Sequence, residues 1–414
     1  MRIAIIGTGI SGLVTAYLLA DDHEIVVYEA NDYVGGHTNT VEVTAEGTTY
    51  PVDTGFIVFN ERTYPNFLTL IRKLDVAYEP TEMSFSVKCE RTGLEYRPNM
   101  VSSLFSQPGS LFRPALYRLI WEIFRFRRES ERFLDAGDES LTLGRYLESK
   151  RYSRMFVDKF LIPMGAAIWS ADPQAFRDFP IKSFAGFFKN HGILYPWNQP
   201  QWFFIKGGSK RYVEKLTGSF SDRIQLNSRV QSVRRFPDQV QVKAIGFGVE
   251  TYDRVIIAAH SDQALAMLED PAEKEKEVLG SIPYQENITL LHGDTSILPT
   301  RRKSWASWNA FIPSKESGRA SLTYNMNILQ QIDSSKDLCV SLNLESAIEK
   351  DQIIQRIQYH HPIYTVQGFS AQKRWHEING VNNTYYCGAY WGYGFHEDGV
   401  NSALRVAKEF GKQL

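Results

Sequence analysis

The apolar positions along the chain change period several times, and the changes mark its elements. Residues 2–6 (Arg-Ile-Ala-Ile-Ile) form a short run that is apolar after its first residue, the pattern of a strand buried on both faces. Leu13 to Ala20 carries small and aliphatic residues on several faces and predicts a buried helix. Glu24-Ile25-Val26-Val27-Tyr28 predicts a second strand, closed by Glu29. Much later, Lys210 to Leu216 has helical spacing, and Arg229–Val233 and Arg254–Ala259 read as strands on either side of the alternating Val240-Gln241-Val242. Thr384–Ala389 predicts a short strand ahead of a helix from Asn401 to Lys408. Strands and helices interleaved in this way predict an α/β fold.

Two stretches between these elements read differently. Residues 85–202 open with a hairpin around Arg91-Thr92-Gly93 and continue as helix. Within them, Leu111 to Leu134 holds Phe112, Tyr117, Trp121, Phe124 and Phe126 together with six arginines (113, 118, 125, 127, 128, 132) against three glutamates. Its apolar residues 116, 119, 120, 123 and 124 recur near helical spacing. Two readings stay open: an ordinary amphipathic helix with its arginines in water, or one that touches anionic lipid headgroups. In residues 276–375, Glu286–His292, Ser317–Asn325 and Leu338–Leu344 look like strands. They predict a sheet flooring a substrate cavity, with the helices of 85–202 over it.

Composition narrows the class. The chain has 414 residues, enough for two or three domains, and 46 Lys+Arg balance 47 Asp+Glu. That near-neutral balance gives no footprint for nucleic acid. The 43% hydrophobic and 22% charged fractions are those of an ordinary globular chain. Three separated cysteines (89, 339, 387) without a CxxC pair argue against a disulfide framework or a zinc site and suit a reducing compartment. No apolar run reaches the roughly 18 residues of a membrane span. The apolar start is broken by three glycines and lacks an AxA-like cleavage site, so it reads as strand rather than leader.

The candidate chemistry begins at Gly7-Thr8-Gly9-Ile10-Ser11-Gly12, between the first strand and helix. This is the context of a dinucleotide fingerprint. Gly7 allows the tight turn, Gly9 the approach of a pyrophosphate, and Gly12 the close packing of helix on strand. The helix start at Ile10 and Ser11 offers N–H groups and a positive dipole end to phosphate. Glu29, at the end of the next strand, is set to accept ribose hydroxyls. Further glycine-rich stations follow at Gly35-Gly36-His37 and Asp53-Thr54-Gly55-Phe56. A flavin dinucleotide needs such downstream contacts, which favours FAD over NAD.

The GTGISG fingerprint, Glu29 and the EANDYVGGH run resemble the flavin-containing amine oxidase superfamily. Within it, GGHTNT, VDTGFIVFN, LHGDTSILP with SWASWN, and CGAYWGYGFHEDG are most similar to a bacterial subgroup of predicted FAD/NAD-binding oxidoreductases. That subgroup is similar to the N-terminal domain of plant cyclopropane fatty-acid synthases. The resemblance implies a discontinuous Rossmann-like FAD-binding domain (1–84, 203–275 and 376–414) and an α+β substrate domain (85–202 and 276–375), an amine-oxidase-like arrangement. It also implies that Ala30, Gly35, Gly36, His37, Thr38, Thr54, Gly55 and Phe56 contact FAD, with Val230 beside the adenine. Gly388 would lie near the ribityl chain and pyrophosphate. Asp398, as helix entry, with Gly399 and Val400 would aim N–H groups at the flavin's pyrimidine oxygen. His37 stands where many relatives have arginine, and His260-Ser261 stands where many have proline. Cys387 precedes a glycine, but noncovalent FAD is the expectation.

Hydride transfer to flavin N5 follows from the cofactor. The candidate catalytic residues are His292 and His396 as proton carriers, and Trp391 and Tyr393 as walls of an aromatic cage or an apolar slot. No lysine can be assigned by motif the role common in amine oxidases, and His360-His361 lacks the partners of a metal site. The expected activity is an FAD-dependent oxidoreductase that dehydrogenates an apolar substrate such as a fatty-acyl chain. The alternatives are a flavin amine oxidase and a non-enzymatic lipid-binding escort on the same fold, as in the Rab escort and GDP-dissociation-inhibitor group. The expected partners are small apolar molecules, membrane phospholipid acyl chains among them. The expected location is cytoplasmic, with peripheral contact at the inner membrane face.

Overall fold

The computed structural model of the chain describes residues 1–97, 112–136, 138, 140–192, 199–314 and 318–414. Leu111 and Ser317, which bounded two of the expected elements, lie outside the described residues.

Five parallel strands form the first sheet, in the order Ile224–Gln225, Glu24–Tyr28, Arg2–Ile6, Arg254–Ile257, Thr384–Tyr386. Ile3 pairs with Ile25 on one side and Arg254 on the other, and Ile257 pairs with Tyr386. Strands from three distant stretches of sequence therefore share one sheet. The apolar runs explain why: Ile3, Ile5, Val27, Ile256 and Ile257 are all buried, which a parallel sheet covered on both faces requires. The Ile10–Leu19 and His396–Glu409 helices cover one face. An antiparallel meander (Val230–Arg235, Val240–Ala244, Gly248–Tyr252) and the Ser261–Met267 and Glu273–Gly280 helices cover the other. From Arg2–Ile6 the chain goes first to the neighbour on one side and later to Arg254–Ile257 on the other. The loops after these two strands thus meet at the switch point where open α/β sheets take ligands.

A seven-stranded sheet runs in the order Ile353–Pro362, Tyr284–His292, Cys339–Leu342, Leu322–Asn325, Trp308–Ile312, Phe85–Cys89, Leu94–Tyr96. It joins strands from either side of the 203–275 stretch. The sequence pattern did not single out Trp308–Ile312 or Ile353–Pro362. The second is ten residues long and alternates poorly, because as an edge strand its outer positions face water.

The helices Pro114–Ala136, Leu143–Ser149, Ile162–Trp169 and Ile181–Asn190 pack on this sheet. Their core is dense in aromatics: Phe126, Phe156, Phe176, Phe179, Phe184, Phe187 and Phe188 are all 2% exposed or less. The first of these helices runs past the expected end at Leu134 to Ala136. Among the described residues, no helix is long and apolar enough to cross a membrane.

One carboxylate ties the architecture together. Asp53 is fully buried and accepts hydrogen bonds from Thr40 Oγ1 (2.6 Å), Ser209 N (2.8 Å), Ser209 Oγ (2.7 Å) and Gln330 Nε2 (3.0 Å). It thereby links three chain segments at one point. Burial raises its pKa to about 6, against which these donors pull down.

Candidate active site

The glycine-rich loop lies between the first strand and helix, as expected, although the helix begins at Ile10 rather than Leu13. Gly7 has φ +104°, and a Cβ there would stand 2.8 Å from Ala258 O, so the loop fits against the end of the Arg254–Ile257 strand only without a side chain. Gly9 caps the helix with no side-chain hydrogen bond, and the first turn contains no acid. Ile10, Ser11 and Gly12 are buried at that helix start.

Glu29 is 6% exposed, and its carboxylate faces the loop. It accepts the Thr8 N–H (2.9 Å), the Thr8 hydroxyl and the Asn31 N–H (2.9 Å). The segment leading to Val230 docks here: Ser228 N donates to Glu29 O (2.7 Å) and Asn227 N to Asn31 O (2.9 Å). Val230, two residues further on, is buried in the same core as Tyr28.

The Gly35-Gly36 doublet packs onto the loop. A Cβ on Gly36 would come within 3.2 Å of Gly9 Cα. Phe56 N donates to His37 O (2.8 Å), and Gly55 lies so close that its Cβ would stand 2.2 Å from that oxygen. Thr54 bonds Asn39 O and Tyr359 OH, both at 2.9 Å. Thr38 Oγ1 meets Tyr212 OH (2.5 Å) and His396 Nε2 (3.0 Å), and His396 lies 3.0 Å from Tyr212 OH. His396 also stacks on Phe56 at 3.5 Å. It therefore clamps residues 38, 56 and 212 together. Burial holds its imidazole well below its ordinary pKa, so it is neutral at pH 7.

The C-terminal helix starts at His396, five residues before the expected Asn401. Asp398 is consequently within the first turn rather than at the entry. Its Oδ2 accepts the Phe395 N–H (3.0 Å), so it caps its own helix, and burial raises its pKa to about 6. A Cβ on Gly399 would stand 2.6 Å from Ile10 Cγ2, and Val400 is fully buried. These two residues belong to the seam where the two helix starts meet, not to an open backbone edge. Gly388 N donates to Ser402 Oγ (2.9 Å). Cys387 packs beside Thr15, with its thiol pKa pushed up to about 12 by burial.

Three candidate residues are placed differently from the expectation. His292 sits at one end of the Tyr284–His292 strand, roughly 27 Å along it from Tyr284. Both its ring nitrogens are engaged, with Ser341 Oγ (2.8 Å) and Asp294 N (3.1 Å). It is a satisfied core histidine, set apart from the other candidates. Trp391 and Tyr393 do not form one cage. Trp391 is buried in the core under the nucleotide-type sheet, whereas Tyr393 packs into the aromatic core of the helical region. Gly392, extended at φ −138° and ψ −135°, stands between the two rings.

The structure also assembles a cluster that the sequence pattern did not bring together. His37 stacks on Tyr359 (4.7 Å), with His361 edge-on to it (5.2 Å) and His260 at 6.3 Å. His260 in turn stacks on Tyr284 (4.4 Å) and lies 6.3 Å from His360. Burial first, then the neighbouring imidazoles, lowers His37 and His361 to about 3 and His260 to about 4. Asn287 Nδ2 donates to His361 Nδ1 (2.9 Å), which leaves the proton of the neutral ring on Nε2. His260 ends the Arg254–Ile257 connection and His360-His361 lies on the unanticipated edge strand. The sequence signals were the histidine in place of proline and the histidine doublet. Among the described residues, no group of three or more histidine, cysteine or acidic side chains is placed to hold a metal ion.

A flavin dinucleotide asks for free helix N–H groups, room beside the glycines, and a polar atom left over by the protein. All three are present. The Ile10 helix start is uncapped by any side chain, and a Cβ on Gly9 would meet nothing within 4 Å. His37 Nε2 is buried with no hydrogen-bond partner from the protein. Gly9, Gly36, His37, Gly55 and His260 also keep part of their surface accessible although burial dominates the titration of both imidazoles, as residues lining an internal cleft do. The residues fit the group.

Comparison with known proteins agrees with this geometry. The profile of the flavin containing amine oxidoreductase family matches residues 10–319. Cyclohexylamine oxidase from Brevibacterium oxydans IH-35A shares the fold, with a TM-score of 0.70, 16% identity and 99% of each chain covered. A fatty acid isomerase from P. acnes that produces CLA is similar at a TM-score of 0.71 and 14% identity, over 99% of this chain and 98% of that one. Putrescine oxidase bound to putrescine is similar at 0.69 and 13%, over 99% of both chains. A search of curated protein sequences found no significant match.

Proposed function

The chain belongs to the flavin-containing amine oxidoreductase family and is a flavin-dependent oxidoreductase with FAD as its cofactor, and from that premise we propose that it dehydrogenates an apolar, acyl-chain-like substrate. The observation that carries this reading is the wall around Tyr393. Phe187 stacks on Phe395 (5.1 Å) and meets Tyr393 (5.6 Å), and Phe369 meets Tyr393 (5.8 Å). Behind them stand Trp169 and Phe184. Such a wall excludes water and favours hydrocarbon. The aromatic pair expected for an amine cage, Trp391 with Tyr393, is divided between two cores. The nearby carboxylates are also engaged: Asp398 caps Phe395, and Glu397 accepts from Asn66 N (3.1 Å) and Phe67 N (2.9 Å).

Bound FAD supplies a two-electron acceptor that takes hydride at N5. In this reading the rest falls to the chain. Residues 1–84, 203–275 and 376–414 make up the nucleotide domain. The Ile10 helix start and the glycine loop receive the pyrophosphate. Glu29 takes a ribose hydroxyl on the acceptor capacity that Thr8 and Asn31 leave free. His37 Nε2 provides a polar contact within the cleft, and the imidazoles of His260 and His361, held neutral by burial, pack beside it. The phenyl wall orients the chain to be oxidised. A similar amine oxidase and a similar fatty acid isomerase share this fold equally well, so fold likeness favours neither substrate.

Anaerobic mixing of the FAD-loaded protein with a panel of acyl lipids and primary amines tests the reading. Bleaching of the flavin absorbance by an acyl lipid is expected. Bleaching by amines alone would make the protein an amine oxidase. FAD-loaded protein that takes up lipid while no member of the panel bleaches its flavin would make it an escort.

A further inference from the structure

We propose that the outer face of the Pro114–Ala136 helix is a docking surface for an anionic lipid bilayer. The helix buries Leu116, Leu119, Glu122 and Phe126 against the protein. Its opposite side leaves large apolar side chains partly exposed: Tyr117 is 50% exposed, Trp121 58% and Phe124 45%, with Phe112 just ahead of the helix at 87%. At about 100° per residue, Tyr117, Trp121, Phe124 and Arg128 share an arc of roughly 60°. Arg132 lies about 20° beyond one edge of that arc and Arg118 about 60° beyond it; both, like Arg128, are exposed.

The exposed charge on this face is mostly positive, the nearest acid being Glu131, about 20° beyond the arc's other edge. Glu122 is buried and is held by Ser153 N (2.9 Å) and Arg118 (3.2 Å). Glu129 is held by Tyr146 OH (2.6 Å), Tyr152 OH (3.0 Å) and Arg125 (3.0 Å). Arg125 also donates to Lys150 O (2.9 Å), which brings the exposed Lys150 and Arg151 alongside, with Glu148 exposed next to them. Glu131 on the helix is half-buried.

Aromatics and arginine are enriched in protein–protein interfaces as well, so it is the excess of exposed cations that favours an anionic bilayer. Here guanidiniums interleave with aromatics on one arc, the mixture that suits the headgroup level of a bilayer. Tryptophan and tyrosine settle at the interface while arginines reach phosphate from apolar stems. The inner side of the same helix leads toward the proposed substrate wall. Phe126 meets Phe184 (6.0 Å), and a Cβ on Gly186 would stand 3.6 Å from both Leu134 Cδ2 and Tyr393 OH. Docking this face would hold the phenyl wall close to the acyl layer. The surface argument does not depend on the substrate assignment.

Cosedimentation of the full-length protein with vesicles tests the proposal. Vesicles of phosphatidylglycerol and phosphatidylcholine should pellet the protein at low salt, and vesicles of phosphatidylcholine alone should do so much less. Binding should be lost at about 0.5 M salt, where charges are screened within a few ångströms. R128E/R132E should weaken binding at least about 25-fold, taking about fivefold for each cation lost. W121E/F124E should abolish binding while leaving the melting temperature and flavin content unchanged. A wild-type protein that stays in the supernatant with anionic vesicles overturns the proposal, as do variants that bind like the wild type. Sedimentation velocity showing a dimer that W121E/F124E dissolves, without vesicle binding, would assign the face to a second copy instead. None of these readouts uses turnover, so failure of the acyl-substrate reading would leave them unchanged.

Discussion

Replacing Glu29 with glutamine separates two roles that converge on one carboxylate. An ionised carboxylate has about four acceptor positions. Thr8 N–H, Thr8 Oγ1–H and Asn31 N–H occupy three, which leaves about one for a nucleotide hydroxyl. Glu29→Gln keeps the volume but turns an NH2 donor toward a donor. A hydrogen bond to a charged group is worth about 1.5–3 kcal/mol. The apo-protein should therefore lose about 2 kcal/mol of stability, and FAD affinity should fall roughly 10- to 100-fold. Thermal melting of the apo-protein reports the first loss, and quenching of flavin fluorescence on titration reports the second. Affinity equal to wild type alongside a lower melting temperature would make Glu29 a brace of the glycine loop and nothing more. Glu29→Ala is a poorer test. It strands three donors in a site that is 6% exposed, at about 1–3 kcal/mol each, a large share of a domain's stability of about 5–15 kcal/mol.

Other outcomes follow from the same geometry. Arg235 is buried and bidentate on Glu275 (2.8 and 2.9 Å), which also accepts from Tyr386 OH (2.6 Å); Arg235→Met should cost about 3–5 kcal/mol in urea unfolding, and a change under 1 kcal/mol, roughly, would refute the burial argument. Stability should fall as pH drops from about 6.5 to 4. In that window the unfolded histidines take up protons while His37 and His361 (about 3) and His191, His260 and His292 (about 4) refuse them. Each contributes up to about 1.4 kcal/mol per pH unit. Asp53 and Asp398, raised to about 6, act in the opposite direction as they take up protons below that pH, and offset part of the loss. A urea midpoint that rises between pH 7 and 5 would contradict this balance. His292→Asn should lower stability by about 1–3 kcal/mol through lost buried hydrogen bonds yet change the rate of anaerobic flavin reduction by less than about twofold; a large rate loss would return His292 to the reacting centre.

The amino-acid sequence by itself determined the local parts. The run Ile3 to Ile6, the glycines at 7, 9 and 12, and the acid at 29 lie within one strand–helix–strand unit, where backbone sterics and apolar period act over short separations. Those residues are where the pattern set them. Helix starts were read less accurately at Ile10 and His396, because Gly9 and Phe395 offer no side-chain oxygen to mark the cap. Only the tertiary structure decided which distant segments meet. Thr38, Phe56, Tyr212 and His396 converge through packing across long loops, and His37, His260 and His361 come together because an edge strand closes over the sheet's switch point. It also divided Trp391 from Tyr393 and removed His292 to the far end of its strand. Neighbours in sequence part and distant residues meet because burial of a shared core sets their positions, and no spacing along the chain encodes that.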